Sequence, residues 1–457
     1  MRGRVTLVVF WTLLMMLTLA DLLYYGIGLE PVSSPVLPTC TSNNESRDFD
    51  HILASSRRDF VQTSRATHTA QWRQQRSPST SYSVRSVSCP LLWRGNPAEQ
   101  ERAERLQFQR PRCQKSLEDF LRVTENCTDY VHNGGFMAAS VSEEERAFPL
   151  AFSILVYKHP EQVERLLRAI YRPHNVYCIH VDIKSGPVFQ HRMALFARCL
   201  PNVFLSNESV DVRWGKFTNL EPEVICIRQL LEHSGKWRYF INLTGQEFPL
   251  KTNKELVRIL TAFKGANQIG KDSKDFSDRW ESNLPAPYHL SMTKGDVHIA
   301  AVRGFVDYAI NSNVARRFLE WEKLNQHPDE SFFNTLNFDP RLGAPGSSVD
   351  VPKAQKITLL RYKVWCPDNL PCYCRGKIIR DICQYGVQDL PMLTSSDAMF
   401  ANKFSYENEP VGYDCLEQWL LHKVHREEAG QSLPLNISVY ENSWLVRHRY
   451  TGPVKIW

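Results

Sequence analysis

Between Phe148 and Asp182 the chain reads FPLAFSILVYKHPEQVERLLRAIYRPHNVYCIHVD, a strand, a helix and a second strand with almost no slack between them. Ala151 to Tyr157 is the short apolar run of a buried parallel strand, and Pro160 sits where a first helical turn tolerates proline. Val163, Leu166, Leu167 and Ile170 then recur at i, i+3, i+4 and i+7, which sets one apolar helix face, with Glu161, Glu164, Arg165 and Arg168 turned away from it. Asn175 to Val181 returns as a strand. Connections this short force parallel pairing through a crossover helix, and in such sheets ligands collect beyond the carboxyl ends of the strands. Asp182 stands at one of those ends.

The N-terminal residues say where such a domain is delivered. Arg2 and Arg4 precede Val5 to Leu29, an apolar run interrupted only by Asp21 and long enough to span a bilayer. A cleaved signal peptide is the competing reading, disfavoured because no small-residue cleavage site precedes the bulky Leu22-Leu23-Tyr24-Tyr25. Basic residues before the run and none directly after it predict a type II topology, with residues 1–4 cytoplasmic, 5–29 a signal anchor and the rest luminal. Residues 30–88 are rich in Ser, Thr, Arg, Gln and Pro without apolar periodicity, and read as a flexible stem. Residues 89–457 are long enough for one large domain.

The net charge of +6 is modest and its basic residues are dispersed rather than interleaved with aromatics, which argues against a nucleic-acid partner. All twelve cysteines lie beyond the anchor, where an oxidising lumen would pair most of them. Zinc is the rival for Cys372, Cys374 and Cys383, but no Cys-x-x-Cys and no nearby histidine support it. Sequons at Asn44, Asn126, Asn207 and Asn436 agree with a secretory address, whereas Asn242 falls inside an apolar strand and is expected to be buried and unmodified.

The alternation continues downstream: a helix from Phe189 to Leu200, a strand from Asn202 to Leu205, a helix from Glu221 to His233 and a strand from Tyr239 to Leu243. Thr252 with Glu255 makes a capping box that starts a helix through Phe263. Lys264 to Pro287 is polar and irregular, His298 to Ile310 looks strand-like, and Ser312 to Leu324 is helical. This pattern predicts an α/β fold, a mostly parallel sheet covered on both faces.

His327-Pro328-Asp329-Glu330 opens a short helix with two acids in its first turn. Capping and dipole compensation explain acids at any helix start; a general base on a hydroxyl is the alternative. Neighbours on a helix diverge by about 100°, so the pair cannot be the facing carboxylates of a glycosidase. The only Asp-x-Asp, Asp48-Phe49-Asp50, lies in the stem, so a departing diphosphate would need fixed cations in place of a metal.

Seven blocks, Phe148-Pro149-Leu150-Ala151, Leu166 to Tyr171, Tyr177 to Asp182, Ile241 to Gly245, Phe248 to Asn253, Pro328-Asp329-Glu330 and Phe400 to Phe404, together resemble the core 2 and I-branching β-1,6-N-acetylglucosaminyltransferases, in the same order between Cys89 and His425. The resemblance implies a Golgi membrane enzyme with a metal-independent GT-A fold, flanked by helices and stapled by disulfides. It would move GlcNAc from UDP-GlcNAc, with inversion, to a 6-hydroxyl of GalNAc or galactose on a glycoprotein O-glycan, with no metal or other cofactor. By position Glu330 corresponds to the family's catalytic base, and Arg380 and Lys403 to the pair that holds the diphosphate. Asp182 resembles the uridine-contacting acid, with Lys184 assisting it. The family's cysteine frame implies Cys89 with Cys415, Cys127 with Cys199, Cys178 with Cys226 and Cys374 with Cys383. Cys366 with Cys372 is a reasonable local pair, Cys113 is extra, and Cys40 in the stem is available to link two chains.

The acceptor side departs from the family. Gln268-Ile269-Gly270-Lys271 replaces a stretch with an acceptor-holding glutamate, and Leu360 to Trp365 lacks the Trp-x-Tyr acceptor motif. Phe305 replaces a small residue. Arg279, followed by Trp280, still matches an acceptor-side arginine. Three readings follow: a working transferase with an unassigned acceptor, a catalytically silent glycan-binding or scaffolding protein, and a xylosyltransferase-like enzyme of the same wider fold.

Overall fold

The computed structural model describes residues 87–107, 120–121, 124–137, 142–272, 285–349, 359–367 and 372–455. The expected tail, anchor and stem up to residue 86, with Cys40, Cys113, Asn44, Asp48-Phe49-Asp50, Arg279 and Trp280, lie outside the described residues. Among those described, no helix is long and apolar enough to cross a membrane.

The strands, in chain order, are β1 (Leu150–Val156), β2 (Val176–Val181), β3 (Val203–Leu205), β4 (Tyr239–Thr244), β5 (Glu247–Pro249), β6 (Gln268–Ile269), β7 (Ile299–Val302), β8 (Arg361–Tyr362), β9 (Lys377–Ile379), β10 (Ile382–Gln384) and β11 (Phe400–Asn402). The central sheet runs β3-β2-β1-β4-β7-β6; β1, β2, β3 and β4 pair in parallel, and β7 is antiparallel to both of its neighbours. A second sheet, β5-β11-β8, lies beyond the end of β4, and β9 with β10 forms a hairpin.

The apolar strands are apolar because both of their faces are covered. Along β1, Leu150, Phe152, Ile154 and Val156 pack into one core with Val163, Leu166, Leu167 and Ile170 of the helix Pro160–Ile170, while Ala151 faces a second core built on the helices Glu221–His233, Arg303–Asn311 and Asn313–Glu322. The alternation repeats on β2 and β4, where Tyr177, Ile179, Tyr239 and Ile241 join the first core and Cys178 and Phe240 the second. The capping box at Thr252 is formed, its hydroxyl accepting from the Glu255 amide and Glu255 accepting from the Thr252 amide.

Two expectations are corrected. The segment from His298 to Ile310 is not one strand: β7 ends at Val302 and a helix runs from Arg303 to Asn311, because Phe305, Val306 and Ala309 recur at helical spacing and bury against the second core. Lys264 to Pro287 is not wholly irregular, since Gln268 and Ile269 form the edge strand β6. Glu164, Arg165 and Arg168, turned away from the apolar face, are buried as well. The helix Pro410–Glu428 covers that face and supplies Glu417, whose Oε2 lies 2.7 Å from Arg165 Nε and whose Oε1 lies 2.9 Å from an Arg168 terminal nitrogen. The Arg165 guanidinium also stacks on the Tyr406 and Tyr413 rings, at 4.7 and 4.5 Å.

Five disulfides join described residues: Cys89 to Cys415, Cys127 to Cys199, Cys178 to Cys226, Cys366 to Cys372 and Cys374 to Cys383. Asn126, Asn207 and Asn436 are exposed, whereas Asn242 is buried, donating to Val297 and accepting from the Ile299 amide.

Candidate active site

A cavity of about 290 Å³ opens at the carboxyl ends of β1, β2 and β4, where parallel topology leaves the strand ends bare of crossing chain. Asp182, the residue after β2, lines it together with His180 and Lys403. Two hydrogen bonds fix the Asp182 carboxylate: Oδ1 accepts from the Lys184 amide at 2.8 Å and Oδ2 lies 3.0 Å from Lys184 Nζ. The same ammonium reaches Asp211 Oδ1 at 2.8 Å and the Val212 carbonyl at 2.6 Å, so it ties together two loops rather than lining the cavity. His180 is neutral, its pKa lowered to about 4 chiefly by burial, and its Nε2 accepts from the Val210 amide.

The opposite wall is cationic. Lys403 follows β11 and is half-buried; burial comes first, then the charges of Lys363, Lys158 and Arg380, in holding its ammonium below the ordinary lysine range. Lys158 and Lys363 line the same cavity. Lys363 arrives there because β8 runs parallel to β11 in a register that sets Tyr362 beside Ala401. Beneath them Glu247 is fully buried, accepting from Arg361 Nε at 2.9 Å and from Asn402 Nδ2 at 2.9 Å, which pins the two strands that carry the lysines. His298, 3.4 Å from the same carboxylate, is held neutral by burial, with a pKa near 4, and contributes no charge.

Arg380 is exposed at the tip of the β9-β10 hairpin, where it and Asp381 adopt φ of +50° and +60°. A two-residue turn of this hand favours Asn or Gly, so an arginine held there stores backbone strain, the kind of local cost that collects at functional sites. Cys374–Cys383 staples the hairpin, and the Asp381 carbonyl accepts from the Cys366 amide at 2.7 Å.

The acidic turn closes the third side. His327 takes φ of +52° and starts a single 3-10 turn, Pro328–Glu330, that leads into the helix Phe332–Phe338. Its two carboxylates diverge, as their spacing requires. Asp329 lines the cavity and accepts from Asn219 Nδ2 at 3.2 Å, while Glu330, a quarter exposed, has Oε2 3.6 Å from Lys294 Nζ. Behind the turn, the Ser331 hydroxyl donates to Glu322 at 2.6 Å, and burial pushes the Glu322 carboxyl up to about 8. A second buried acid, Glu223, lines the cavity with its pKa raised to about 7 by burial, against hydrogen bonds from Ser153 and Asn242.

The fold therefore gathers Asp182 and Lys403 on one cavity, with Arg380 and Glu330 on separate segments around it and Lys184 behind it. Lys158, Lys363, Lys294, Glu223 and His180 escaped the sequence reading. His180 alone had a signal there, being two residues from Asp182 on the same strand face.

The family model described as "Core-2/I-Branching enzyme" matches residues 150–393 of this chain. The "Beta-1,3-galactosyl-O-glycosyl-glycoprotein beta-1,6-N-acetylglucosaminyltransferase 4" of Danio rerio is 34% identical over 327 residues, 66% of this chain and 76% of that protein. The Rattus norvegicus protein of the same name numbered 3 is 31% identical over 74% of this chain and 84% of its own length. The "N-acetyllactosaminide beta-1,6-N-acetylglucosaminyl-transferase" of Homo sapiens is 33% identical over 64% of this chain and 77% of its own.

Proposed function

This chain belongs to the Core-2/I-branching enzyme family of glycosyltransferases, and on that premise we propose that it transfers N-acetylglucosamine from UDP-N-acetylglucosamine to a 6-hydroxyl of GalNAc or galactose on a glycoprotein O-glycan. The observation that carries this reading is the meeting, at one strand-end cavity, of an acid beyond β2 with a cluster of cations, beside the turn that bears Glu330.

In this reading Asp182 accepts from the uracil end of the donor and the diphosphate lies toward Lys403 and Arg380. Glu330 takes the proton from the acceptor's 6-hydroxyl as that oxygen attacks the anomeric carbon of the donor. The bond from that carbon to the diphosphate oxygen breaks, UDP leaves with the electron pair, and attack from the opposite face turns the α-linked donor into a β-linked product. Charge grows on the leaving diphosphate, and Lys403, Arg380, Lys158 and Lys363 offset it. A GT-A-type, metal-independent site is supported by two features: these four cations, and Lys184, whose ammonium stands between the Asp182 and Asp211 carboxylates. The disulfides and the three exposed sequons support residence in the Golgi lumen, and the basic-flanked apolar run at residues 5–29 supports a type II anchor there.

Turnover of UDP-GlcNAc by the full-length protein in EDTA, against an array of O-glycan and poly-N-acetyllactosamine acceptors, tests the proposal. Transfer that survives EDTA and disappears in Glu330→Gln is the expected result; folded, UDP-binding protein that transfers to nothing would sink it. One observation favours the silent reading instead. Gln268 and Ile269 are committed to β6 and the Gly270 carbonyl to Asn334, so this part of the acceptor loop is spent on structure. Competition between UDP-xylose and UDP-GlcNAc separates the xylosyltransferase-like alternative.

A further inference from the structure

Lys294 belongs to none of the blocks that carry the family resemblance, yet it is the nearest described cation to the proposed base. Its Nζ lies 2.9 Å from Asp272 Oδ2 and 3.6 Å from Glu330 Oε2, and the side chain is only 17% exposed. The backbone around it is tied to the same two segments. The Lys294 carbonyl accepts from the Asp272 amide at 2.8 Å, and the Gly295 amide donates to the Glu330 carbonyl at 2.8 Å. Three strands of chain thus meet within one residue's length: the segment after β6, the segment before β7, and the acidic turn.

The meeting has no room to drift. A Cβ on Gly295 would come within 1.9 Å of the Gly270 carbonyl oxygen and 2.2 Å of Asn334 Nδ2, so only glycine lets these segments close. Asn334, buried on the helix that follows the turn, spans them by donating to the Gly270 carbonyl at 2.7 Å and the Asp296 carbonyl at 3.3 Å. With the backbone fixed on both sides, what remains to be set is the Glu330 rotamer, and the cation that Asp272 holds beside its carboxylate limits it.

We propose that Lys294 is a positioning residue: anchored by Asp272, it holds the Glu330 carboxylate in the orientation from which it reaches the acceptor hydroxyl. The proposal rests on Glu330 being the base. It makes the residues that flank the acceptor loop responsible for the geometry of the proton transfer, and leaves the donor cavity out of it. A carboxylate misplaced by about 1 Å costs a reaction of this kind on the order of 100-fold, whereas ground-state binding of the donor is untouched.

The full-length protein carrying Lys294→Met, Lys294→Arg, Asp272→Asn or Glu330→Gln is compared with the wild type. Expected for Lys294→Met is a fall in kcat of about 10- to 100-fold with the KM for UDP-GlcNAc within about 2-fold, most of the loss being restored by Lys294→Arg. Asp272→Asn gives a smaller loss of the same kind. A loss that tracks the folded fraction, or that arginine fails to restore in folded protein, overturns the proposal. Turnover that persists in Glu330→Gln overturns the base assignment and the proposal with it, whereas a dead Glu330→Gln beside a fully active Lys294→Met overturns only the positioning role. A crystal structure of the Lys294→Met protein decides the matter even without an acceptor: Glu330 displaced from its wild-type rotamer supports the proposal, and Glu330 unmoved overturns it.

Discussion

The two ends of the site are built by different means. The proposed donor end is assembled from strand termini, Asp182 after β2 and Lys403 after β11, with the register of parallel pairs deciding which side chains emerge together. The proposed acceptor end is assembled from loops, where Lys294, Asp272 and Glu330 meet through a glycine contact and a bridging asparagine rather than through a sheet. Strand ends are fixed by the hydrogen-bond ladder, so the donor end tolerates sequence change around it; loop junctions depend on individual contacts, so the acceptor end can be rebuilt without disturbing the core.

The difference is sharpest at Glu330. Glu330→Gln is expected to lower kcat by about 10³-fold, within the range of lost general-base catalysis, while UDP affinity by calorimetry stays within about 3-fold. Asp329→Asn, one residue away but turned toward Asn219, should fall far short of that loss; equal losses would dissolve the distinction between the two carboxylates.

On the donor side, Lys403→Ala is expected to weaken UDP binding by about 10- to 100-fold, the loss of a charge-assisted contact in a partly buried site. Lys158→Ala and Lys363→Ala should each cost less and also flatten the salt dependence of binding. Weakened UDP binding in Lys294→Met would instead show that the two ends are not separable.

The smallest effects are on stability, and they follow the same division. Glu223 in the wall of the cavity and Glu322 behind the acidic turn both have folded pKa values raised above the ordinary 4.5, to about 7 and about 8. A raised folded pKa means that each contributes stability fully below the unfolded value and loses it as pH rises through the folded one. Thermal melts against pH should therefore decline earlier for the donor-side acid and later for the turn-side acid. Glu223→Gln and Glu322→Gln should each remove their own part of the decline; a profile unchanged in both variants would assign it elsewhere.

The central sheet was legible in the sequence because its cause is local: Ala151 to Tyr157 is apolar at every position but Ser153 since both faces are covered, and Pro160 with Val163, Leu166, Leu167 and Ile170 marks the crossover helix. The helix Arg303–Asn311 was not, because Ile299 to Ile310 is apolar at nearly every position and no cap separates the strand from the helix. The burial of Arg165 and Arg168 left no sequence signal because their partner, Glu417, lies some 250 positions on. Lys363 gains meaning only from the register of β8 on β11, Lys158 only from the cavity that opens beyond β1, and Lys294 only from the closure over Gly295. Residues whose role rests on a distant segment leave no periodicity to read.

The bond between Cys89 and Cys415 turns the chain between them into a closed ring that contains every strand among the described residues. A pull applied at the segment before Cys89 and resisted by residues after Cys415 would travel through two sulfur atoms and bypass the sheet. For a load applied in that way the candidate site is mechanically insulated: the strand ends around Asp182 and Lys403 and the turn that bears Glu330 lie off its path.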